Sequence, residues 1–368
     1  MSKLINTNQA LQQLVDQLSM YQAIGLDTEF YWRRTYYPQL CLIQIATVDH
    51  IYLVDPCADG MNLSLLNAIF SDTRIVKIMH AADNDIKILH HVTGGHFHHV
   101  FDTQIALAFL GGPSQISLAN LLKQLSITTF EKDKQDKLSD WRQRPLTNAQ
   151  VEYAARDVRY LHQAYEQLSN QLKAHGHTRL FNQEMMTLAQ NSYFNGANIT
   201  IVPPYTLPKH AHCTFTHLTR WREKTAQQAD VPVKYIMTNQ HLIALSKKPP
   251  QDLAELESLN LLAEKSIQRY GTAIIEQLDF AKKTAHPKQS KRQRGLTSAQ
   301  QNDLMDYLKQ LCQQKQFDPG FIGTKHDINA FVKHIRNPSE TPVNKLNSGW
   351  RYELFGRYLE AYYHYQLH

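Results

Sequence analysis

The sequence predicts an α/β domain, with a mixed sheet flanked by helices, followed by two small all-α domains. Three observations lead to this prediction. Apolar runs of strand length are concentrated in the first eighty residues, helical spacing of apolar residues dominates from residue 83 onward, and strand signals vanish after about residue 200. Strands surrounded by packed helices are typical of an α/β layer architecture.

Four short apolar segments near the start of the chain have the length and the β-branched content of strands. A helix whose apolar positions recur at helical spacing precedes them. Polar or turn-forming residues separate the first three strands, and we therefore expect these three to form an antiparallel meander. The predicted helix covers residues 8–20, and the predicted strands cover residues 23–26, 40–46, 51–54 and 75–79.

Helices are predicted for the rest of the first domain. One begins near Asp83, and two more cover residues 103–110 and 118–125. Thr147 is a suitable N-cap residue for a long helix that we expect to run to about Leu172.

Prolines and one basic segment divide the chain into predicted domains. Pro203, Pro204 and Pro208 mark a boundary, and residues 281–294 hold six Lys or Arg and no acid, which is typical of a basic linker. The predicted domains are residues 1–200, 211–280 and 297–368.

The composition excludes several classes of protein. With 368 residues and 42% hydrophobic content, the chain can bury real cores and is not a disordered protein. No run of ~18 apolar residues occurs, and the first residues are polar where a signal peptide is apolar, so we expect no membrane span and a cytoplasmic location. Four cysteines without a CxxC pair fit a reducing compartment. The net charge of +6 permits a polyanionic partner, but many soluble proteins share such a charge.

Three acids lie close to the ends of predicted strands. Asp27 and Glu29 follow the first strand at i and i+2, so their side chains share one face of an extended chain. A D-x-E pair also arises about once by chance among 33 acids. Asp85 falls in the first turn of the helix after the fourth strand, where an acid can also simply stabilise the helix dipole.

A fourth acid lies on the long predicted helix. Tyr153 and Asp157 are four residues apart and share a helix face, although a half-buried Tyr beside a surface Asp would show the same spacing. Four carboxylates are ligands that Mg²⁺ and Mn²⁺ prefer. Two such ions ~3.5–4 Å apart can clamp a phosphodiester during in-line displacement. We therefore predict two divalent cations, Mg²⁺ or Mn²⁺, with Tyr153 orienting the attacking water.

Three segments resemble the motifs of the DEDD exonuclease superfamily. They are residues 26–30, 80–85 and 153–158, and they carry the four acids in the order that gives the superfamily its name. The spacing from Tyr153 to Asp157 resembles the tyrosine branch. Residues 35–40, 139–141 and 144–147 narrow the resemblance to the ribonuclease D family within that branch.

The tail of the chain also resembles a known module. Residues 218–222, 230–232 and 236–239 look like the HRDC domain, a small helical module that usually binds nucleic acid. Residues 348–351 lie in a segment similar to the second, more divergent HRDC-like copy of this family. The resemblance implies a ribonuclease H-like exonuclease domain followed by two HRDC-type domains.

The resemblance implies a 3′→5′ exoribonuclease that releases nucleoside 5′-monophosphates by two-metal-ion hydrolysis. Asp27, Glu29, Asp85 and Asp157 would hold the metals, and Tyr153 would act with them in catalysis. RNA, above all the 3′ ends of precursor tRNA, is the partner that the resemblance implies. We expect no organic cofactor and a monomer. A DNA-directed exonuclease and a nucleic-acid-binding scaffold with an inactive nuclease fold remain alternatives.

Four further residues are candidates for substrate binding. Phe30 could stack on a terminal base, since aromatic–base stacking contributes ~1–3 kcal/mol, but it is equally suited to a core. His80 could contact the loop of the second motif, Gln104 could reach the substrate, and Arg144 could contact a phosphate. For His80 the alternative is a hydrogen-bonded core histidine, and for Arg144 it is a solvated surface charge.

Overall fold

The computed structural model describes residues 2–129, 139–191, 204, 207–284, 296–338 and 344–367. The chain forms two compact units. One comprises Met1–Glu29, Leu40–Tyr193 and Arg292–His368, and is called the sheet unit below. The other comprises Phe30–Gln39 and Phe194–Lys291, and is called the helical unit.

A six-stranded mixed sheet organises the sheet unit, as the sequence predicts. Its spatial order is β1-β4-β3-β2-β5-β6. Strand β3 is antiparallel to β4, whereas β1 is parallel to β4, β2 to β5 and β5 to β6. The strands are β1 (Ser2–Ile5), β2 (Ala23–Tyr31), β3 (Gln39–Ala46), β4 (Ile51–Val54), β5 (Val76–Met79) and β6 (Val100–Asp102).

The antiparallel pairing that the sequence predicts is confirmed for β3 and β4, whose register runs from Ile43↔Val54 to Ala46↔Ile51. Two strands were not predicted. Only the last two of the four residues of β1 are apolar, and β6 has three residues in all, so neither strand forms an apolar run of strand length. Both lie at the edges of the sheet.

Helices surround the sheet. The prediction of one long helix from Thr147 to Leu172 is wrong. The segment forms two consecutive helices that are separated at Tyr160. Neither proline nor glycine marks this break, so the sequence carries no local signal for it. The helices are α1 (Asn8–Leu18), α2 (Asn67–Phe70), α3 (Asp83–Thr93), α4 (Thr103–Phe109), α5 (Leu118–Gln124), α6 (Asn148–Arg159), α7 (Leu161–Ala174) and α8 (Thr178–Asn191), with a 3-10 turn at Leu63–Leu66.

In the helical unit, the helices pack around their own apolar core, which includes Phe215, Leu218 and Leu242. The segment 30–39 belongs to this unit, since the Asp230 carboxylate accepts hydrogen bonds from the backbone N–H of Tyr36 and Tyr37 at 3.0 and 3.1 Å. The helices are α9 (His212–Gln228), α10 (Val233–Ile236), α11 (Asn239–Lys247), α12 (Leu253–Ser258) and α13 (Glu264–Thr284), with a 3-10 turn at Lys209–Ala211.

The C-terminal helices are part of the sheet unit. The ring centroid of Phe109 on α4 lies 4.7 Å from that of Trp350 and 5.7 Å from that of Phe317. The Asp318 carboxylate also accepts a hydrogen bond from Ser114 N at 2.8 Å. The helices are α14 (Ser298–Lys315), α15 (Pro319–Ile322), α16 (Lys325–Arg336), α17 (Gly349–Arg351) and α18 (Arg357–Tyr362), with π-helical turns at Tyr352–Gly356 and Tyr363–Leu367.

Two further predictions concern the linker and the membrane. Helix α13 extends to Thr284, and most of the predicted basic linker over residues 281–294 lies outside the described residues. Within the described part of the chain, no helix is both long and apolar enough to cross a membrane.

Candidate active site

The first predicted motif lies on the central strand β2. Asp27 and Glu29 are partly exposed, whereas Thr28 between them is buried, as expected when alternate residues of a strand point to opposite sides. The upstream half of β2 is a buried apolar run, which fixes the strand in the middle of the sheet. The two acids therefore belong to the rigid scaffold rather than to a loop.

The second motif reaches the first because β2 and β5 are parallel neighbours. Their register pairs Ala23 with Val76, so the C-terminal ends of the two strands lie at the same end of the sheet. Helix α3 begins just after β5 and carries Asp85 in its first turn, as predicted. The Thr28 hydroxyl donates a hydrogen bond to the Asp85 carboxylate. The structure therefore brings Asp85 into direct contact with the strand that carries Asp27 and Glu29.

Asp102 at the end of β6 holds the turn that leads into α3. Its carboxylate accepts hydrogen bonds from the N–H groups of Ala81 and Ala82 at 3.2 and 2.8 Å. It also caps α4 by accepting from Gln104 N and Ile105 N at 2.8 and 3.2 Å. Ala81 has a φ of 58°, a conformation that costs free energy for a residue other than glycine. Asp102 thus stabilises a strained turn that sets the first turn of α3.

Asp85 is a buried carboxyl group, with 8% of its surface exposed. Burial raises the pKa of Asp85 to about 7, the hydrogen bond from the Thr28 hydroxyl opposes this rise, and the charge of Asp102 adds to it. A carboxylate in such an environment is stabilised when a cation lies against it.

The third motif lies on helix α6, which the Thr147 side chain caps in a capping box with Gln150. Tyr153 and Asp157 are both buried, at 5% and 6% exposure, on the same helix face. The ring of Tyr153 packs against that of Trp141 with the two centroids 5.9 Å apart. The alternative of a surface Asp beside the tyrosine is therefore wrong.

The fit of a divalent cation rests on the chemistry of these donors. Asp27, Glu29, Asp85 and Asp157 offer carboxylate oxygens alone, which suits Mg²⁺ or Mn²⁺ better than softer metals. Two of the four, Asp85 and Asp157, are buried carboxyl groups, and a buried carboxylate requires a compensating charge. Among the described residues, no three His, Cys, Asp or Glu side chains are grouped closely enough to enclose an ion. The donor set fits these ions by its chemistry but does not enclose an ion, so the assignment of the four ligands stays a prediction.

The predicted substrate residues His80 and Gln104 meet at one backbone carbonyl. His80 Nε2 lies 2.9 Å from Ile116 O, and Gln104 Nε2 donates to the same oxygen at 2.8 Å. The other ring nitrogen of His80 lies 2.9 Å from the Thr103 hydroxyl. These bonds correspond to the alternative of a hydrogen-bonded core histidine. Substrate binding by either residue stays a prediction that this geometry does not favour.

Arg144 is held within the protein. Its guanidinium forms a bidentate pair with the buried Asp55, at 2.7 and 2.6 Å, and its remaining N–H groups bind backbone carbonyls. We therefore revise the prediction that Arg144 contacts a phosphate, because no N–H donor is left for one.

Phe30 is partly buried and belongs to the helical unit. Base stacking by Phe30 stays a prediction.

Sequence reasoning missed the roles of Thr28 and Asp55. Thr28 is the middle residue of the first motif, but only the tertiary contact shows that its hydroxyl reaches Asp85. Asp55 follows the apolar strand β4 directly. An acid at the end of an apolar strand was the signal that favoured Asp27 as a site residue, and the same signal was present at Asp55.

Comparisons with known proteins agree with this fold. A protein-family model described as a 3′-5′ exonuclease matches residues 3–173, and a model of the HRDC domain matches residues 214–278. The fold and these two matches thus define a 3′→5′ exonuclease with an HRDC domain.

Relatives match nearly the whole chain. A ribonuclease D from Desulfotalea psychrophila is 30% identical over 99% of this chain and 98% of its own, and one from Bartonella henselae is 30% identical over 98% of this chain and 89% of its own. The crystal structure of Escherichia coli RNase D superposes with a TM-score of 0.84 at 28% identity, covering 100% of this chain and 99% of that chain. The chain belongs to the ribonuclease D family of 3′→5′ exoribonucleases.

Proposed function

We propose that this protein trims the 3′ ends of precursor tRNAs and other structured RNAs and releases nucleoside 5′-monophosphates. The observation that carries the proposal is the buried contact between Thr28 on β2 and Asp85 on α3, which links the strand of the first acidic motif to the helix of the second. The Escherichia coli relative is described as an exoribonuclease involved in structured RNA processing. Divalent metal use is implied by the exonuclease family.

In the proposed mechanism, Asp27, Glu29, Asp85 and Asp157 hold two divalent cations, Mg²⁺ or Mn²⁺. When bound, such ions lower the pKa of the attacking water and offset the negative charge of the phosphodiester. Tyr153 orients the water through its hydroxyl group. The hydrogen bond from Thr28 keeps the Asp85 carboxylate in one orientation, so that no reorganisation is needed when the substrate arrives.

The helical unit is proposed to grip the body of the RNA, in keeping with its HRDC match over residues 214–278. Residues 297–368 are proposed as a second, divergent HRDC-like copy that packs within the sheet unit. We further propose a monomer in the cytoplasm. All four cysteines are free thiols, which fits a reducing compartment.

The proposed substrate class is tested with a 5′-labelled precursor tRNA that carries a short 3′ trailer. We expect a ladder that shortens from the 3′ end in Mg²⁺ or Mn²⁺ and is absent in EDTA. A DNA trailer of the same sequence should be shortened more slowly if the site contacts the 2′-OH. Faster shortening of the DNA trailer would favour a DNA-directed exonuclease, and RNA binding without shortening would favour an inactive scaffold.

Replacing Tyr153 with Phe is expected to lower the single-turnover rate constant of cleavage by roughly a hundredfold, because a positioned acid–base group typically contributes 10²–10⁴-fold. The ring contact with Trp141 is retained in this variant, so the fold should be unaffected. Single-turnover trimming under saturating Mg²⁺ is the measurement. An unchanged rate would remove the tyrosine hydroxyl from the mechanism without affecting the assignment of the acids.

Replacing Thr28 with Val is expected to raise the Mg²⁺ concentration needed for half-maximal trimming by about 10–100-fold, as is typical when a residue that orients a metal ligand is lost. Valine keeps the shape of Thr28 but cannot donate to Asp85. Thr187→Val is the matched control, because the Thr187 hydroxyl bonds within its own exposed helix turn. A Mg²⁺ dependence identical to that of the wild type would show that the hydroxyl does not act on Asp85.

A further inference from the structure

We propose that Arg144, through its ion pair with Asp55, is a positioning residue that fixes Trp141 and thereby sets the ring of Tyr153. This inference rests on the proposed function, because it assigns Arg144 to the orientation of the group that places the attacking water.

All five N–H groups of Arg144 are bound. Nε and one Nη2 N–H donate to the two oxygens of Asp55 at 2.7 and 2.6 Å, and the second Nη2 N–H donates to Cys41 O at 2.7 Å. The two Nη1 N–H groups donate to Trp141 O at 2.8 Å and Gln143 O at 2.9 Å. A guanidinium whose donors are all used in one geometry acts as a rigid connector.

The connector joins the sheet to the segment that precedes α6. Cys41 lies within β3, and the buried Asp55 follows the last residue of β4. Trp141 and Gln143 lie in the segment that leads to Thr147, the N-cap of α6. Arg144 therefore fixes this segment to two adjacent strands.

Trp141 depends on this connector for its position. Its ring is 3% exposed, and its indole N–H is buried without a hydrogen-bond acceptor in the part of the chain that the structure describes. The backbone carbonyl of Trp141, by contrast, is held by Arg144. Because the indole lacks a hydrogen bond of its own, its position follows from packing and from the backbone that Arg144 fixes. The ring in turn packs against Tyr153 with the planes inclined by 47°.

Lysine cannot replace arginine here. Lysine keeps the positive charge, but its single ammonium cannot form the bidentate pair with Asp55 and reach three carbonyls at once. Arg144→Lys should therefore release the Trp141 backbone while retaining a cation near Asp55. Asp55→Asn is a milder second variant, because asparagine keeps an acceptor oxygen for Arg144. Arg159→Lys is the matched control, since Arg159 forms a bidentate pair with Glu152 on the exposed face of α6 at 2.8 and 3.0 Å.

The first test is a double-mutant cycle on trimming of the precursor tRNA. Arg144→Lys is expected to lower kcat by about 10–100-fold with little change in KM, because a small displacement of a catalytic group is sufficient for such a loss. In the Tyr153→Phe background, the same substitution should lower kcat by less than about twofold, as expected for residues that act through one another. A loss of equal size in both backgrounds would overturn the proposal. Arg159→Lys should leave kcat unchanged in both.

The second test is independent of activity. The four tryptophans are replaced by 5-fluorotryptophan, and the fluorine resonance of Trp141 is assigned from its loss in Trp141→Phe. Arg144→Lys, Asp55→Asn and Tyr153→Phe should each shift this resonance, whereas Arg159→Lys should not. A Trp141 resonance that does not move in Arg144→Lys would overturn the proposal. If the wild type failed to trim RNA, the proposed function would be wrong, but this measurement would still decide whether Arg144 fixes Trp141 against Tyr153.

Discussion

Replacing Asp85 with Asn is expected to lower the rate of 3′ trimming by about a thousandfold or more, because several kcal/mol of transition-state stabilisation depend on the metal that this carboxylate helps to hold. Asparagine has the shape of aspartate and can still accept the hydrogen bond from Thr28. The substitution also removes a charge from a buried position, so it should not unfold the protein.

The experiment uses the labelled precursor tRNA in single-turnover reactions, together with thermal unfolding in EDTA. Asp83→Asn is the matched control, because Asp83 lies in the same first turn of α3 but forms an exposed ion pair with Lys87. Asp85→Asn should be inactive and folded, and Asp83→Asn should be active and folded. Turnover by Asp85→Asn at the wild-type rate would exclude Asp85 from the metal site.

Replacing Glu184 with Ala is expected to lower the free energy of unfolding of the sheet unit by about 3–5 kcal/mol, because it leaves a buried guanidinium without its partner. Glu184 on α8 accepts two hydrogen bonds from Arg351 at 2.6 and 2.9 Å and one from Trp350 Nε1 at 2.8 Å. The two charged side chains are 17% and 10% exposed, so solvent screens the pair only weakly. This network ties the C-terminal helices to α8.

The matched control is the ion pair between Arg179 and Glu353, which joins the same two parts of the chain at 3.0 Å but is 65% and 50% exposed. Exposed pairs contribute about 0–1 kcal/mol, so Glu353→Ala should have little effect. Chemical denaturation followed by tryptophan fluorescence measures both. A small effect of Glu184→Ala, equal to that of the control, would show that the C-terminal helices are not anchored at this point.

The same network predicts a pH dependence of stability. Burial alone would raise the pKa of Glu184, but the hydrogen bonds and charge of Arg351 outweigh it and the net pKa is lowered below 4.5. An acid whose pKa is lower in the folded than in the unfolded protein stabilises the fold at pH values above its pKa in the unfolded chain. This stabilisation is lost as the pH falls through the pKa of the acid in the folded protein. Stability of the wild type should therefore decrease below pH 4.5 more steeply than that of Glu184→Gln.

The sequence predicted the parts of the site that are encoded locally. The strand before Asp27, the helix start at Asp83 and the capping residue Thr147 each depend on a few neighbouring residues, and the structure has all three. Local periodicity likewise indicated that the tail is helical and that the sheet precedes it. These features follow from side-chain spacing and from the capping preferences of short segments, which a single sequence displays directly.

Only the tertiary structure decided which distant residues meet. Arg144 was predicted to contact phosphate, but it pairs with Asp55, 89 residues away. The C-terminal helices were predicted as a domain of their own, but their aromatic rings and the Arg351–Glu184 pair pack within the sheet unit. A charge or an aromatic ring has the same local pattern whether it faces solvent or a partner. Its role is set by burial and by long-range contacts, which depend on how the whole chain packs.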